Sequence, residues 1–155
     1  MQFIADCSSV SWRTEHQGGM GLSTEAETLS AVRDAFSGLN RFSGSAAANE
    51  TGIGLLLSLS HSGAFAEAAG KAVCDSLTAV VAAMARFPDN PVMICCACWT
   101  LKQAVHAAEG EPRLRQIAAS GAVAAAMAAL RAHPADEDIQ EGALTTLNLI
   151  APLAP

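Results

Sequence analysis

The chain has 155 residues, the size of one domain, and 51% of them are hydrophobic although only 5% are aromatic, so its apolar content is mostly alanine and leucine. Such small side chains suit closely packed helices. Only 15% of the residues are charged and the formal net charge is −6, which argues against nucleic acid as a partner because binding phosphates requires clustered lysine and arginine.

Residues 1–22 are rich in serine, glycine and other polar residues, so we interpret them as an N-terminal arm that is partly irregular. Phe3 and Trp12 could anchor this arm on the first helices or on a partner, although an isolated aromatic residue more often covers a local apolar patch. The periodic pattern begins after the arm, and we interpret residues 23–155 as one helical repeat domain.

Two helices are predicted first in this domain. Thr24 and Glu27 have the spacing of a capping box, and the helix that they open runs to about Phe42. After a loose turn, a second helix runs from about Asn49 to Ser60. Its two glycines lower its intrinsic helix propensity, so packing must stabilise it.

A group of three helices follows. They are predicted at residues 65–74, 76–87 and 92–108, with Asn90 as the N-cap of the third helix and Pro91 in its first position. Proline suits that position because its fixed backbone angle is already helical and its missing N–H would have no partner there.

A second group of three helices completes the chain. A short helix runs from Pro112 to about Ala119, and Gly121 turns the chain into the next helix, which ends before Pro134. The last helix begins at the acidic run 136–138, where carboxylates favour the positive end of the helix macrodipole. Its apolar stripe is Ile139, Ala143, Leu147 and Ile150.

These helices recur at a regular spacing. Aligning large side chains places the middle helix of one group on that of the other at a shift of forty-three residues, which pairs Val80 with Val123 and Met84 with Met127. The last helices of the two groups pair at forty-six residues, and we attribute the difference to loop length. Shifts of ninety-one and ninety residues align the apolar residues of the first two helices with those of the last two helices. The sequence therefore predicts three copies of one unit.

The segment ACWTLKQ at residues 97–103 resembles the A-x-W-A-L-x-N motif on the third helix of armadillo repeats. Residues 117–123 resemble the junction between the short first helix, a glycine and the second helix of that family, and the period lies in the range of HEAT and armadillo arrays. The resemblance covers about residues 24–151. It implies an all-α fold, a right-handed α-solenoid of armadillo-like three-helix repeats at about 24–62, 63–109 and 111–151.

Third helices line the concave groove of armadillo proteins, so the resemblance implies that this face holds a partner. In the second copy Gln103 stands at the asparagine position of this motif. In the first copy Leu55 and Leu59 stand at the tryptophan and asparagine positions, and in the third copy Thr145 and Leu149 do so. The predicted partner-binding residues are Leu55, Leu59, Trp99, Gln103, His106, Glu141, Thr145 and Asn148.

Cys95, Cys96 and Cys98 invite a metal or redox interpretation, because thiolates are strong ligands for zinc and iron–sulfur clusters. On a helix Cys95 and Cys98 lie about 60° apart around the axis, but Cys96 points elsewhere and no second pair of ligands follows at a useful spacing. Cysteine also packs as a small buried apolar group. Packing is the favoured interpretation, and no metal site is predicted.

No arrangement of residues typical of catalysis is visible. Cys95 and His106 share a helix face but lie about 16 Å apart along it, too far for a nucleophile and its base. A glycine-rich phosphate loop, a nucleophile elbow and paired zinc histidines are all missing. The sequence therefore predicts no catalytic residue, no cofactor and no small-molecule substrate.

The cellular location of the protein is predicted from its apolar stretches, its first residues and its cysteines. Polar residues interrupt every stretch of about twenty residues, so no membrane span is expected, and the first residues lack the basic start and apolar run of a signal peptide. The five cysteines do not pair evenly, which favours a reducing compartment. We expect the cytoplasm or an organelle interior, and not secretion.

The leading hypothesis is a non-enzymatic protein–protein interaction module, an adaptor or structural subunit of a larger assembly, which holds a peptide or protein surface along its third helices. The ends of so short an array lack polar capping helices, so we expect either a subunit of a larger complex or a fragment of a longer array. One alternative is importin-like recognition of basic peptides, motivated by residues 99–103 and the acidic balance. The other is a thiol redox or metal site at Cys95, Cys96 and Cys98.

Overall fold

The computed structural model describes residues 24–61, 66–74 and 76–154, and within these ranges the chain is helical and contains no strand. The prediction of an all-α fold is confirmed. The proposed arm, with Phe3 and Trp12, lies outside the described residues. The helices are α1 (Glu25–Arg41), α2 (Ala46–His61), α3 (Ala66–Cys74), α4 (Leu77–Arg86), α5 (Pro91–His106), α6 (Gly110–Ile117), α7 (Val123–Ala132) and α8 (Glu137–Ile150), with a π-helical turn at Ala118–Ala122 and a 3-10 turn at Ala151–Leu153.

The predicted starts of α1 and α5 are confirmed by their side-chain caps. The amide of Glu27 donates to Thr24 Oγ1 at 3.2 Å, and the amide of Thr24 donates to Glu27 Oε2 at 3.1 Å, which completes the capping box. At α5 the amide of Met93 donates to Asn90 Oδ1 at 3.1 Å, and Pro91 is the first helical residue. In both cases short-range chemistry decides the helix boundary.

The start of α2 differs from the prediction. The helix begins at Ala46 rather than near Asn49, because Ser45 acts as its cap and its hydroxyl accepts an amide three residues later at 3.2 Å. Asn49 is instead buried inside the first turns, with 1% of its surface exposed. Its Nδ2 donates to the carbonyl oxygens of Phe42, Ser43 and Ser45 at 3.1, 3.4 and 2.8 Å, so it holds the preceding turn onto the helix.

Three turns of equal length join α1 to α2, α4 to α5 and α7 to α8. They span residues 42–45, 87–90 and 133–136. In each turn the backbone N–H of the fourth residue donates to the carbonyl of the first, at 2.9, 3.2 and 3.3 Å respectively. The same helix–turn–helix geometry therefore occurs three times, in unit one (α1 and α2), unit two (α3 to α5) and unit three (α6 to α8).

The register between α4 and α7 is not the one that the side chains suggest. Both helices have ten residues and both lead into a four-residue turn, so the shift between them is forty-six residues and Val81 corresponds to Met127. The shift of forty-three was wrong because α7 buries small residues, Ala126 and Ala129, while Met127 is 40% exposed. Matching large side chains therefore aligned different faces of the two helices.

The junction between α6 and α7 bends at Gly121, as predicted. Its φ of +92° lies in the left-handed region, which glycine adopts without strain. A Cβ at this position would also lie 3.3 Å from Val81 Cγ1, so the glycine lets units two and three approach closely. The helix before the bend begins at Gly110 rather than at Pro112.

Helices of successive units pack against each other in two rows. In one row α2 contacts α5 and α5 contacts α8, and in the other α1 contacts α4 and α4 contacts α7. The central helix α5 is buried without interruption over residues 93–101. On α8 the predicted apolar stripe is confirmed, since all four of its members are buried: Ile139, Ala143, Leu147 and Ile150.

The apolar helices belong to this core. Within the described ranges no single helix is long and apolar enough to cross a membrane, although the bent pair Ala68–Cys74 and Leu77–Arg86 meets the requirement by length and composition. The two helices of that pair meet at 64°. Their residues Ala69, Val73 and Val80 are buried among the other helices.

Candidate interaction surface

The predicted partner-binding residues differ widely in exposure. Trp99 and Leu59 are only 5% and 4% exposed. Neither offers its side chain at the surface. Leu55, Gln103 and Thr145 are half-buried, and His106, Glu141 and Asn148 are exposed.

A contact between α5 and α8 organises the middle of this surface. Lys102 follows Trp99 by one helical turn, and its ammonium lies over the indole ring at 4.0 Å from the ring centroid. The same Nζ donates to Glu141 Oε1 at 2.7 Å. The structure therefore joins two predicted site residues, Trp99 and Glu141, through a third residue that the prediction did not include.

Lys102 is largely withdrawn from solvent, since 15% of its side chain is exposed against 48% for Glu141. An ion pair in this partly shielded position interacts more strongly than one on an open surface. Its spacing from Trp99 was a usable sequence signal, because residues three apart share a helix face. Its pairing with Glu141, thirty-nine residues later, follows only from the packing of α5 on α8.

The cysteine cluster lies in the core rather than on this surface. Cys95, Cys96 and Cys98 are all buried, and the Sγ of Cys74 donates to the carbonyl of Ala104 at 3.0 Å. Burial, aided by the negative charge of Asp136, raises the pKa of Cys98 to about 12. A buried thiol with a raised pKa forms the nucleophilic thiolate less readily, which disfavours thiol exchange.

Among the described residues, no group of three or more His, Cys, Asp or Glu side chains is placed to hold a metal ion. The exposed carboxylate of Glu109 is paired instead with Lys71, at 2.7 Å. Its hydrogen bond to that lysine and the lysine's positive charge hold the pKa of Glu109 below its usual value.

Polar links also join the turns along the opposite edge. Arg86 Nη1 donates to the carbonyl of Ser43 at 2.8 Å, and Asn90 Nδ2 donates to Glu50 Oε2 at 2.9 Å, so units one and two are tied at their turns. His133 Nε2 lies 2.8 Å from the carbonyl of Pro88 and ties unit three to unit two. These contacts link the three units at their turns.

Comparisons with protein-family models, curated proteins and solved structures find no match to this chain. A family assignment therefore depends on the resemblance of residues 97–103 and 117–123 to armadillo repeats. Function is therefore inferred from the repeated turns and the rows of helices in this structure.

Proposed function

We propose that this protein is a non-enzymatic interaction module, an adaptor or structural subunit of a larger assembly in a reducing compartment. In this proposal its three units form a right-handed armadillo-like α-solenoid, and a peptide or protein surface binds along α2, α5 and α8. The observation that carries the proposal is the row that these three helices form, with polar side chains emerging beside the buried core of α5.

The chemistry of the row favours a polar, extended partner. Thr145 is half-buried, and His106 and Asn148 are exposed, so polar side chains reach the surface on two neighbouring helices. The buried indole of Trp99 supports this surface from beneath rather than forming its contact. Small polar groups on rigid helices bind with little loss of conformational entropy, which suits recognition of main-chain groups.

A pull-down of the full chain from cells, followed by mass spectrometry, tests this proposal. We expect one specific partner that is lost when His106 and Asn148 are both replaced by alanine. Asn40→Ala is the matched control, because Asn40 is an exposed asparagine on α1, in the other row of helices. The same partner retained by the double variant would contradict the proposed surface, and circular dichroism confirms that each variant is folded.

Importin-like recognition of basic peptides remains a second candidate because of one observation. The indole of Trp99 and the carboxylate of Glu141 already hold an ammonium group, that of Lys102, so this position has the chemistry of a site for a basic side chain. A partner's lysine would have to replace Lys102 in that position.

Calorimetric titration with a lysine-rich peptide tests the second candidate. We expect Lys102→Ala to bind the peptide more tightly than the unmodified protein does, because the variant leaves the aromatic face and the carboxylate to the peptide. Adding Glu141→Gln to this variant removes the carboxylate charge and weakens binding again. An absence of binding heat in all three proteins would exclude the candidate.

A further inference from the structure

We draw no further inference here: the strongest candidate, the pair of apolar surfaces formed by the groove between α1 and α2 and by Met127 and Leu144 on the outer face of unit three, carries none, because nothing in the described residues shows what covers either surface.

Discussion

At Gly142 the helices α5 and α8 approach so closely that an added Cβ would push on its neighbour. A Cβ there would lie 3.1 Å from Cys98 Cβ and 3.2 Å from its carbonyl carbon, and the backbone of a buried helix cannot give way as the end of a long side chain would. Gly54, in the interior of α2, has no atom within 4 Å of the place its Cβ would occupy. Close packing against α5 therefore favours glycine at position 142, whereas no contact favours it at position 54.

We predict that Gly142→Ala destabilises the protein and that Gly54→Ala stabilises it. Alanine improves helix propensity by up to about 1 kcal/mol at both positions, but overpacking at Gly142 costs about 1–3 kcal/mol and outweighs that gain. Urea unfolding followed by circular dichroism gives both free energies of unfolding. Equal changes in the two variants would show that the contact between α5 and α8 is not tight.

A second residue-scale prediction concerns Cys98 and pH. Burial raises its pKa to about 12 from an ordinary value of 9.0, so above pH 9 the unfolded chain loses this proton while the folded protein keeps it. The contribution to stability is complete below pH 9 and is lost as pH rises from 9 towards 12, by up to about 1.4 kcal/mol per pH unit. Unfolding free energies measured from pH 8 to 11 should therefore fall less steeply in Cys98→Ala, and equal slopes would contradict the prediction.

Among the helices, the capping residues differ in the number of contacts that their side chains make. Asn90 caps α5 through its Oδ1 and also donates from its Nδ2 to Glu50 on α2, so one side chain serves a helix start and a contact between units. Ser76, at the start of α4, makes no side-chain hydrogen bond to its helix. The cap of α5 therefore carries both local and tertiary stabilisation, and that of α4 does not.

We predict that Asn90→Ala lowers the free energy of unfolding by about 1–2 kcal/mol, and that Ser76→Ala changes it by less than about 0.5 kcal/mol. Asn90→Asp separates the two roles, because aspartate still accepts the amide of Met93 but sets a carboxylate against Glu50. In thermal unfolding, the melting temperature of Asn90→Asp should lie between those of Asn90→Ala and Ser76→Ala. A loss in Asn90→Asp as small as that in Ser76→Ala would show that the link to Glu50 contributes little.

At the scale of the whole molecule, burial is greatest in the middle of the row. Helix α5 is buried continuously over residues 93–101 and contacts both α2 and α8, while α8 exposes Glu141, Leu144 and Asn148 along one side. Units that contact only their neighbours contribute to stability mainly through those contacts. Local opening should therefore begin at the ends and reach α5 last.

Native-state hydrogen exchange tests this order. The amides of α5 should exchange most slowly, at the rate set by global unfolding, and those of α1 and α7 should exchange through smaller openings. Addition of low denaturant should leave the exchange of α7 less affected than that of α5, since a smaller opening exposes less surface. Amides of α8 that outlast those of α5 would contradict a stability gradient from the middle outwards.

Features that depend on short separations along the chain are predictable from the sequence alone. The capping box at Thr24, the cap at Asn90 and the bend at Gly121 each involve neighbouring residues, so their chemistry is visible in the sequence. The apolar stripe of α8 was also visible, because residues three and four apart share a helix face. The all-α fold follows from these local signals together.

Which helix faces meet depends on packing between residues that are distant in the chain. The alanines of α7 carry little information about direction, so the burial of Ala126 and the exposure of Met127 depend on how α4 packs against that helix. The burial of Trp99 and the reach of Lys102 to Glu141 likewise depend on the approach of α5 to α8, and Gly142 permits that approach. Local chemistry determines where each helix begins and ends, whereas distances between atoms far apart in the chain are set by packing.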